Sequence, residues 1–353
     1  MDLKNRQKLA DQARNLLTLD ENYCNSGDCM RLSVCISIVF LWGNMLFASQ
    51  NLSHEQRENS FLESKQLLID KILSRGDLPH ISMNDQLDLL DQLCEFDLGK
   101  FLVERGGLDG CWTQYVVQYP EKKEAFKSTL GSLEAFLLNS APTCLATQER
   151  FKIFKFKIQS FVKEGCHLAS IPCGVMGDLL DLDFSNIHEF SLTGIDLDPQ
   201  SIALAKEYAI AKNIDKHCHF SVCDAWQVNT EEKFDVIASN GLNIYELDDK
   251  KVVLLYRQFY DALNDNGILV TSFLTPPPIP GKLSEWKLSE VNQKDALLQK
   301  IIFADILCAK WQVYRTEAQT KEQLEEAGFQ EIEVIHDRAN LFPTVVAKRT
   351  RKP

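Results

Sequence analysis

At 353 residues, with 45% apolar and 25% charged side chains, the chain has the material for one large or two ordinary soluble domains with a packed core. Its 50 acidic against 38 basic residues leave a net charge of −12, so no counterion-release energy favours a phosphate backbone and no nucleic-acid partner is expected. Eleven cysteines, odd in number, scattered and partly inside apolar runs (Cys35, Cys94, Cys308), read as small hydrophobes of a reduced protein rather than a disulfide framework.

Residues 1–60 read as a helix, an apolar segment and a polar linker. The apolar segment, 32–48, is uncharged and close to the shortest length that spans a bilayer, yet holds two Ser, a Gly and an Asn. A buried or partner-covered helix is the favoured reading, with a membrane anchor or a late-starting export signal as alternatives. Residues 61–162 form a second, helical region: Leu67, Leu68, Ile72 and Leu73 recur at helical spacing, as do Leu87, Leu89, Leu90 and Leu93. Gly106-Gly107 and the stretch 139–142 divide it.

From 163 to 353 short apolar runs alternate with amphipathic segments. Strands are predicted over 167–171, 190–196, 219–223, 234–238 and 267–274, with helices over 199–212 and 247–263 between them. The 275–281 run, rich in proline, cannot be strand or helix interior, and a helix follows near 296–311. A helix over 320–327 leads into two final strands, 330–335 and 342–347. The expected fold is therefore α/β, a doubly wound and mostly parallel sheet with an antiparallel last strand, preceded by an α-helical region. Ligands of such sheets bind beyond the carboxyl ends of the strands.

Four motifs fall at those ends. Pro172-Cys173-Gly174 turns out of the first strand, and a glycine there permits close approach of a ligand, because a Cβ would obstruct it or strain a left-handed turn. The turn lacks the Gly-x-Gly-x-x-Gly spacing a dinucleotide pyrophosphate needs, which tells against a nicotinamide oxidoreductase. Asp196-Leu197 ends the second strand, 22 residues after Gly174, where a carboxylate typically accepts from ribose hydroxyls. Asp198 with Pro199 reads as a helix cap and first helical residue. Asp224-Ala225 ends the third strand, placed to meet an adenine amino group and ring, and Trp226 either flanks the base or packs in the core. Asn240 to Glu246 follows the fourth strand, where polar groups would sit beside a reacting centre. His217, Cys218, His219 and Cys223 invite a zinc reading, but neighbouring side chains of a strand face opposite ways, and no metal is expected.

In the order and spacing of these motifs, residues 169–348 resemble class I S-adenosylmethionine-dependent methyltransferases. The resemblance implies S-adenosylmethionine as cofactor, with Pro172, Cys173, Gly174, Asp196, Leu197, Asp224, Ala225 and Asn240 around it. It also implies that the last two strands add the family's antiparallel hairpin. Two positions depart from its pattern: Ser170 stands where an acid is usual, and Met176 where a second loop glycine is usual. The segments Gly107-Leu-Asp-Gly-Cys-Trp112 and Ala146-Thr-Gln-Glu-Arg-Phe151 are similar to N-terminal parts of uncharacterised bacterial methyltransferases.

On this reading the chain methylates a small-molecule or lipid-like acceptor; a protein methyltransferase and a catalytically silent donor-binding regulator are the alternatives. A hydroxyl acceptor needs a base, for which Tyr245, Glu246 and His336 are the candidates. Asn243 and Trp112 are the candidate acceptor-binding residues. A cytosolic methyl donor implies a cytoplasmic protein, with membrane contact, if any, through 32–48. No feature sets an oligomeric state.

Overall fold

The computed structural model describes residues 60–126, 130–228, 233–278, 284–309 and 313–350. The 32–48 segment lies outside them. Among the described residues, no helix is long and apolar enough to cross a membrane.

The chain packs as two units that cross the linear boundary expected at 162/163. One, built from described residues within 60–108, 119–145 and 277–310, is helical. It contains α1 (Phe61–Arg75), α2 (Met83–Leu93), α3 (Asp97–Arg105), the later part of α4 (Gly110–Phe126), α5 (Ser132–Asn139) and α10 (Gln293–Lys300). The sequence starts α1 with a reciprocal cap: Ser60 Oγ accepts from the Glu63 N–H while the Glu63 carboxylate accepts from Ser60 N–H at 2.7 Å. Of the residues read at helical spacing, Leu68, Ile72, Leu89, Leu90 and Leu93 are buried, whereas Leu67 and Leu73 are exposed on the outer face of α1; Leu98 and Leu102 add to the core. The helix expected near 296–311 is α-helical only to Lys300 and continues as a wider π turn, Ile301–Ile306.

The other unit takes 109–118, 146–276 and 311–353 and holds a seven-stranded sheet. Its strands are β1 (Cys166–Ser170), β2 (Phe190–Asp196), β3 (Cys218–Val222), β4 (Phe234–Ser239), β5 (Leu263–Ser272), β6 (Gln330–Ile335) and β7 (Thr344–Lys348), in the order β3-β2-β1-β4-β5-β7-β6. β1 to β5 are parallel, and β7 runs antiparallel to both β5 and β6. The expected strands are therefore found, shifted by a few residues at their ends.

The two-residue period of each strand sorts its side chains into two cores. Leu168, Val236, Ala238, Ile268 and Val270 face one way, onto α8 (Pro199–Ala211) and α6 (Pro142–Gln159) through Ile202, Ala205, Phe154 and Ile158. Ala169, Ile237 and Leu269 face the other, onto α9 (Asp249–Ala262) and α11 (Glu317–Ala327) through Val252, Tyr256, Phe259 and Leu324. Burial on both faces explains why these strands read as apolar runs rather than alternating ones. Strand order reverses between β1 and β4. The crevice at their carboxyl ends is where such a sheet places a ligand.

Candidate active site

Parallel register brings the predicted residues to one edge of the sheet. Ser170 stands opposite Gly194, and Asp196 opposite Val222, so Asp196 and Asp224 sit at the same ends of adjacent strands. The Cys223 N–H continues the ladder by donating to the Asp196 carbonyl at 3.0 Å. Asp196 Oδ2 accepts from the Gly174 N–H at 2.8 Å, and Oδ1 from the Asp198 N–H at 2.9 Å. A carboxylate has about four lone-pair sites, so two stay open for hydroxyl donors while the bound N–H groups fix its orientation. Beyond it the Leu197 side chain is 64% exposed, an apolar surface at the strand tip.

Asp224 is also held by its own backbone. It caps a short 3₁₀ turn, Ala225–Gln227, by accepting from the Trp226 N–H at 3.0 Å. Ala225 is buried beneath it. Trp226 packs on the core cluster and its indole N–H donates to the Lys251 carbonyl at 3.2 Å, which favours the packing reading for that ring. Asp198 is the helix cap expected, accepting from Gln200 and Ser201.

The glycine loop differs from the expectation in one respect. Gly174 takes a left-handed φ of +51°, and the close neighbour on its Cβ side is backbone: the Gly110 Cα would lie 3.4 Å from an added Cβ. The start of α4 therefore lies against the loop. Met176 keeps the left-handed conformation (φ 60°, ψ 28°) that the family's second glycine would adopt. This conformation costs a residue with a Cβ about 1–2 kcal/mol. Complete burial of the side chain offsets it: the Met176 sulfur lies where a Gly194 Cβ would stand, 2.9 Å away, so Gly194 opens the space Met176 fills. Cys173 is buried in the same packing, its N–H bonded to the Ile195 carbonyl, and burial pushes its thiol pKa up, away from the reactive thiolate. Pro172 follows a cis peptide bond.

Ser170, which stands where an acid is usual, is hydrogen-bonded to one. The Ser170 hydroxyl donates to Asp178 Oδ2 at 2.8 Å, and the Leu179 N–H donates to Oδ1 at 3.1 Å. A carboxylate thus reaches the end of β1 from the first turn of α7 (Gly177–Leu180). Burial raises its pKa from 3.8 to about 7, the hydrogen bonds opposing only part of that rise. Sequence reasoning passed over this residue; the signal was an Asp at the start of a helix directly after the glycine turn.

At the tip of β4 the loop 240–246 is clamped from behind. Arg315, 2% exposed, donates to the Asn243 and Glu246 carbonyls at 2.9 and 2.7 Å and pairs with Asp249 at 2.8 Å. Asn240 and Asn243 sit in this loop with unsatisfied amides. The Asn240 oxygen and both polar atoms of the Asn243 side chain are buried with no partner among the described residues. Tyr245 lies beside the buried Arg150.

Glu246 and His336 are engaged elsewhere. Glu246 accepts from the Asp248 N–H at 2.8 Å at the approach to α9, and His336 is exposed and pairs with Glu317 at 3.0 Å. Trp112 stands in the first turn of α4, its N–H bonded to Asp109 at 2.8 Å and its ring edge-on to Tyr115. His217 stacks on Phe190, with 4.1 Å between ring centroids.

These features fit a sulfonium nucleoside: two oriented carboxylates on neighbouring strand tips, an exposed leucine directly after the first, and amide atoms without a described partner in the loop after β4. The family model for a methyltransferase domain matches residues 172–267. A solved structure from Bordetella parapertussis, named a possible exported protein, is 38% identical, with a TM-score of 0.78, over 86% of this chain and 100% of its own. Magnesium protoporphyrin IX methyltransferase from Synechocystis aligns at 13% identity over 67% of this chain and 99% of its own, with a TM-score of 0.43, a likeness too weak to carry functional weight. No curated protein matches the sequence. The chain is thus of one family with the Bordetella protein, and it belongs to the class I S-adenosylmethionine-dependent methyltransferases.

Proposed function

We propose that this enzyme methylates a small-molecule acceptor, and that the donor lies across the tips of β1, β2 and β3. The observation that carries this is the parallel register of β2 and β3, which sets Asp196 and Asp224 side by side next to the Gly174 N–H. In this reading Asp196 takes the ribose hydroxyls, Asp224 and the Ala225 backbone take the adenine edge, and Leu197 covers its face. Pro172, Cys173 and Gly174 shape the loop beneath. Asp178, reached through Ser170, holds the donor's ammonium group in place of the acid usual at 170.

S-adenosylmethionine supplies an electrophilic methyl group on sulfur. The task left to the chain is to orient, to exclude water and to accept a proton where the acceptor is a hydroxyl. Asn240 and Asn243 are suited to orientation, because buried amides with free hydrogen-bonding capacity gain most from a bound polar partner. Of the three base candidates, Tyr245 shares the β4 loop with them, whereas Glu246 accepts from the Asp248 N–H and His336 pairs with Glu317. Trp112 is retained as an acceptor-side aromatic.

Calorimetry of the full chain with S-adenosylmethionine and with NAD tests the donor assignment: saturable binding of the former alone is expected. Labelled methyl transfer into a fractionated lysate, lipid fraction included, tests the acceptor class. Donor binding without transfer to any fraction would instead favour a silent regulator, and label in protein alone a protein methyltransferase. We place the reaction in the cytoplasm, where the donor is made, although the Bordetella relative is named a possible exported protein. Recovery of the full-length protein from the medium or an extracytoplasmic fraction would overturn that placement.

A further inference from the structure

Arg150 is the most unusual charge in the sheet-bearing unit. It projects from α6 and is only 4% exposed. No described carboxylate forms an ion pair with it. Among the described residues one hydrogen bond holds it, from Nη1 to Ser272 Oγ at 3.3 Å, while Nε is buried with no described partner. The Arg150 guanidinium carbon lies over the Phe342 ring, 3.7 Å from its centroid, and Gly241 leaves room beside Nη1, where a Cβ would stand 3.5 Å away. Asp337 is nearby, but three of its lone-pair sites accept from the Ala339, Leu341 and Phe342 N–H groups, and its effect on Arg150 is through space rather than through a direct hydrogen bond.

A guanidinium in this setting is costly as it stands. Burial pulls its pKa from 12.5 down to about 9, against the opposing pull of Tyr245 and Asp337. A buried charge is retained at modest cost only when an anion and further hydrogen bonds complete it. The position selects the partner. Ser272 ends β5, Gly241 follows β4 and Phe342 precedes β7, so the guanidinium stands at the carboxyl end of β4–β5 and not at the β2–β3 tips assigned to the donor. The Phe342 ring holds the guanidinium in place from one side, and a planar guanidinium fork matches a planar oxyanion.

We propose that Arg150 is the receptor for a carboxylate on the methyl acceptor, so that the substrate class is an organic acid. This deepens the small-molecule reading and rests on it. Asn240 and Asn243, in the loop that flanks Arg150, supply the neutral contacts around the acid.

The test is calorimetric titration of the full chain, saturated with S-adenosylhomocysteine, with benzoate and decanoate against benzamide and decanamide. Both acids should bind in preference to their amides if the site recognises the carboxylate alone. Decanoate alone identifies a lipid-like acid and benzoate alone a compact aromatic one; either supports the proposal. In Arg150→Lys the acid affinity should fall at least tenfold, and in Arg150→Met it should vanish, with S-adenosylmethionine affinity unchanged within about twofold.

Equal affinity for acid and amide in the wild-type protein overturns the proposal, as does absence of saturable binding by either acid, and neither outcome depends on a variant folding. Loss of donor binding in a folded Arg150→Lys protein also overturns it, since the guanidinium would then serve the donor. Acid binding that needs Arg150, in a protein that binds no S-adenosylmethionine, would leave the receptor standing and remove the methyl-transfer reading.

Discussion

The two halves of the strand-tip edge are built on opposite principles. At β2–β3 the carboxylates proposed to hold the donor are already hydrogen-bonded to backbone N–H groups, Asp196 to Gly174 and Asp198, Asp224 to Trp226. At β4–β5 the polar atoms are left wanting: Arg150 Nε, the Asn240 oxygen and the whole Asn243 amide have no described partner. The first half is pre-set for a ligand of fixed shape. The second holds unspent hydrogen-bonding capacity, which is worth little in the free protein and more once an acceptor fills it.

The same contrast governs how far the sequence could be read. The half proposed to hold the donor lies within short segments at strand ends, so strand period, the 22-residue interval from Gly174 to Asp196 and the Asp-Pro helix start point to it. Arg150 lies in a helix, where an arginine ordinarily reads as a solvated face; its burial comes from Phe342 and Ser272, more than a hundred residues away in sequence. Met176, a departure from the family's pattern in the sequence, is a related case. A methionine in left-handed backbone is intelligible only beside Gly194, on another strand. The assignment of 277–310 to the helical unit likewise depends on tertiary packing that no local pattern records.

The largest expected effect tests whether the β1 tip belongs with the pre-set half. Asp178 is raised by burial to about 7, above its unfolded value near 3.8. The folded state therefore holds the extra proton between about pH 4 and 7, and stability falls as pH rises through that window. At 1.36 kcal/mol per pKa unit the swing is on the order of 4 kcal/mol. Asp178→Asn should remove it, gaining on the wild type in denaturant midpoint from pH 5 to pH 8. Parallel curves for the two proteins would mean the carboxyl is not desolvated in solution.

Next is the clamp behind the β4 loop. Removing a buried cation leaves the Asn243 and Glu246 carbonyls without their donor, so Arg315→Met should cost about 3 kcal/mol in urea unfolding. Donor affinity should change by less than about threefold if the two halves of the edge are independent. An equal loss of donor affinity would show them to be coupled. Asp196→Ala bears on the other half. Losing an acceptor that binds ribose and orders the Gly174 turn should weaken S-adenosylmethionine by about 2–3 kcal/mol, or roughly 100-fold. Acid binding at Arg150 should persist in this variant.

The smallest effects are expected where candidate bases are already occupied. Glu246 accepts from the Asp248 N–H, and His336 forms an exposed pair with Glu317. An exposed pair of that kind contributes less than about 1 kcal/mol, so His336→Ala should alter neither folding nor turnover by more than a few-fold. Glu246→Gln keeps an oxygen for the same N–H and should behave alike. Tyr245→Phe, by contrast, removes a hydroxyl beside the unspent polar atoms of the β4 loop. If proton acceptance occurs there, its turnover should fall at least tenfold with donor affinity intact. A full loss of transfer in His336→Ala with donor binding preserved would move the base to the β6–β7 loop, and the division of labour along this edge would have to be redrawn.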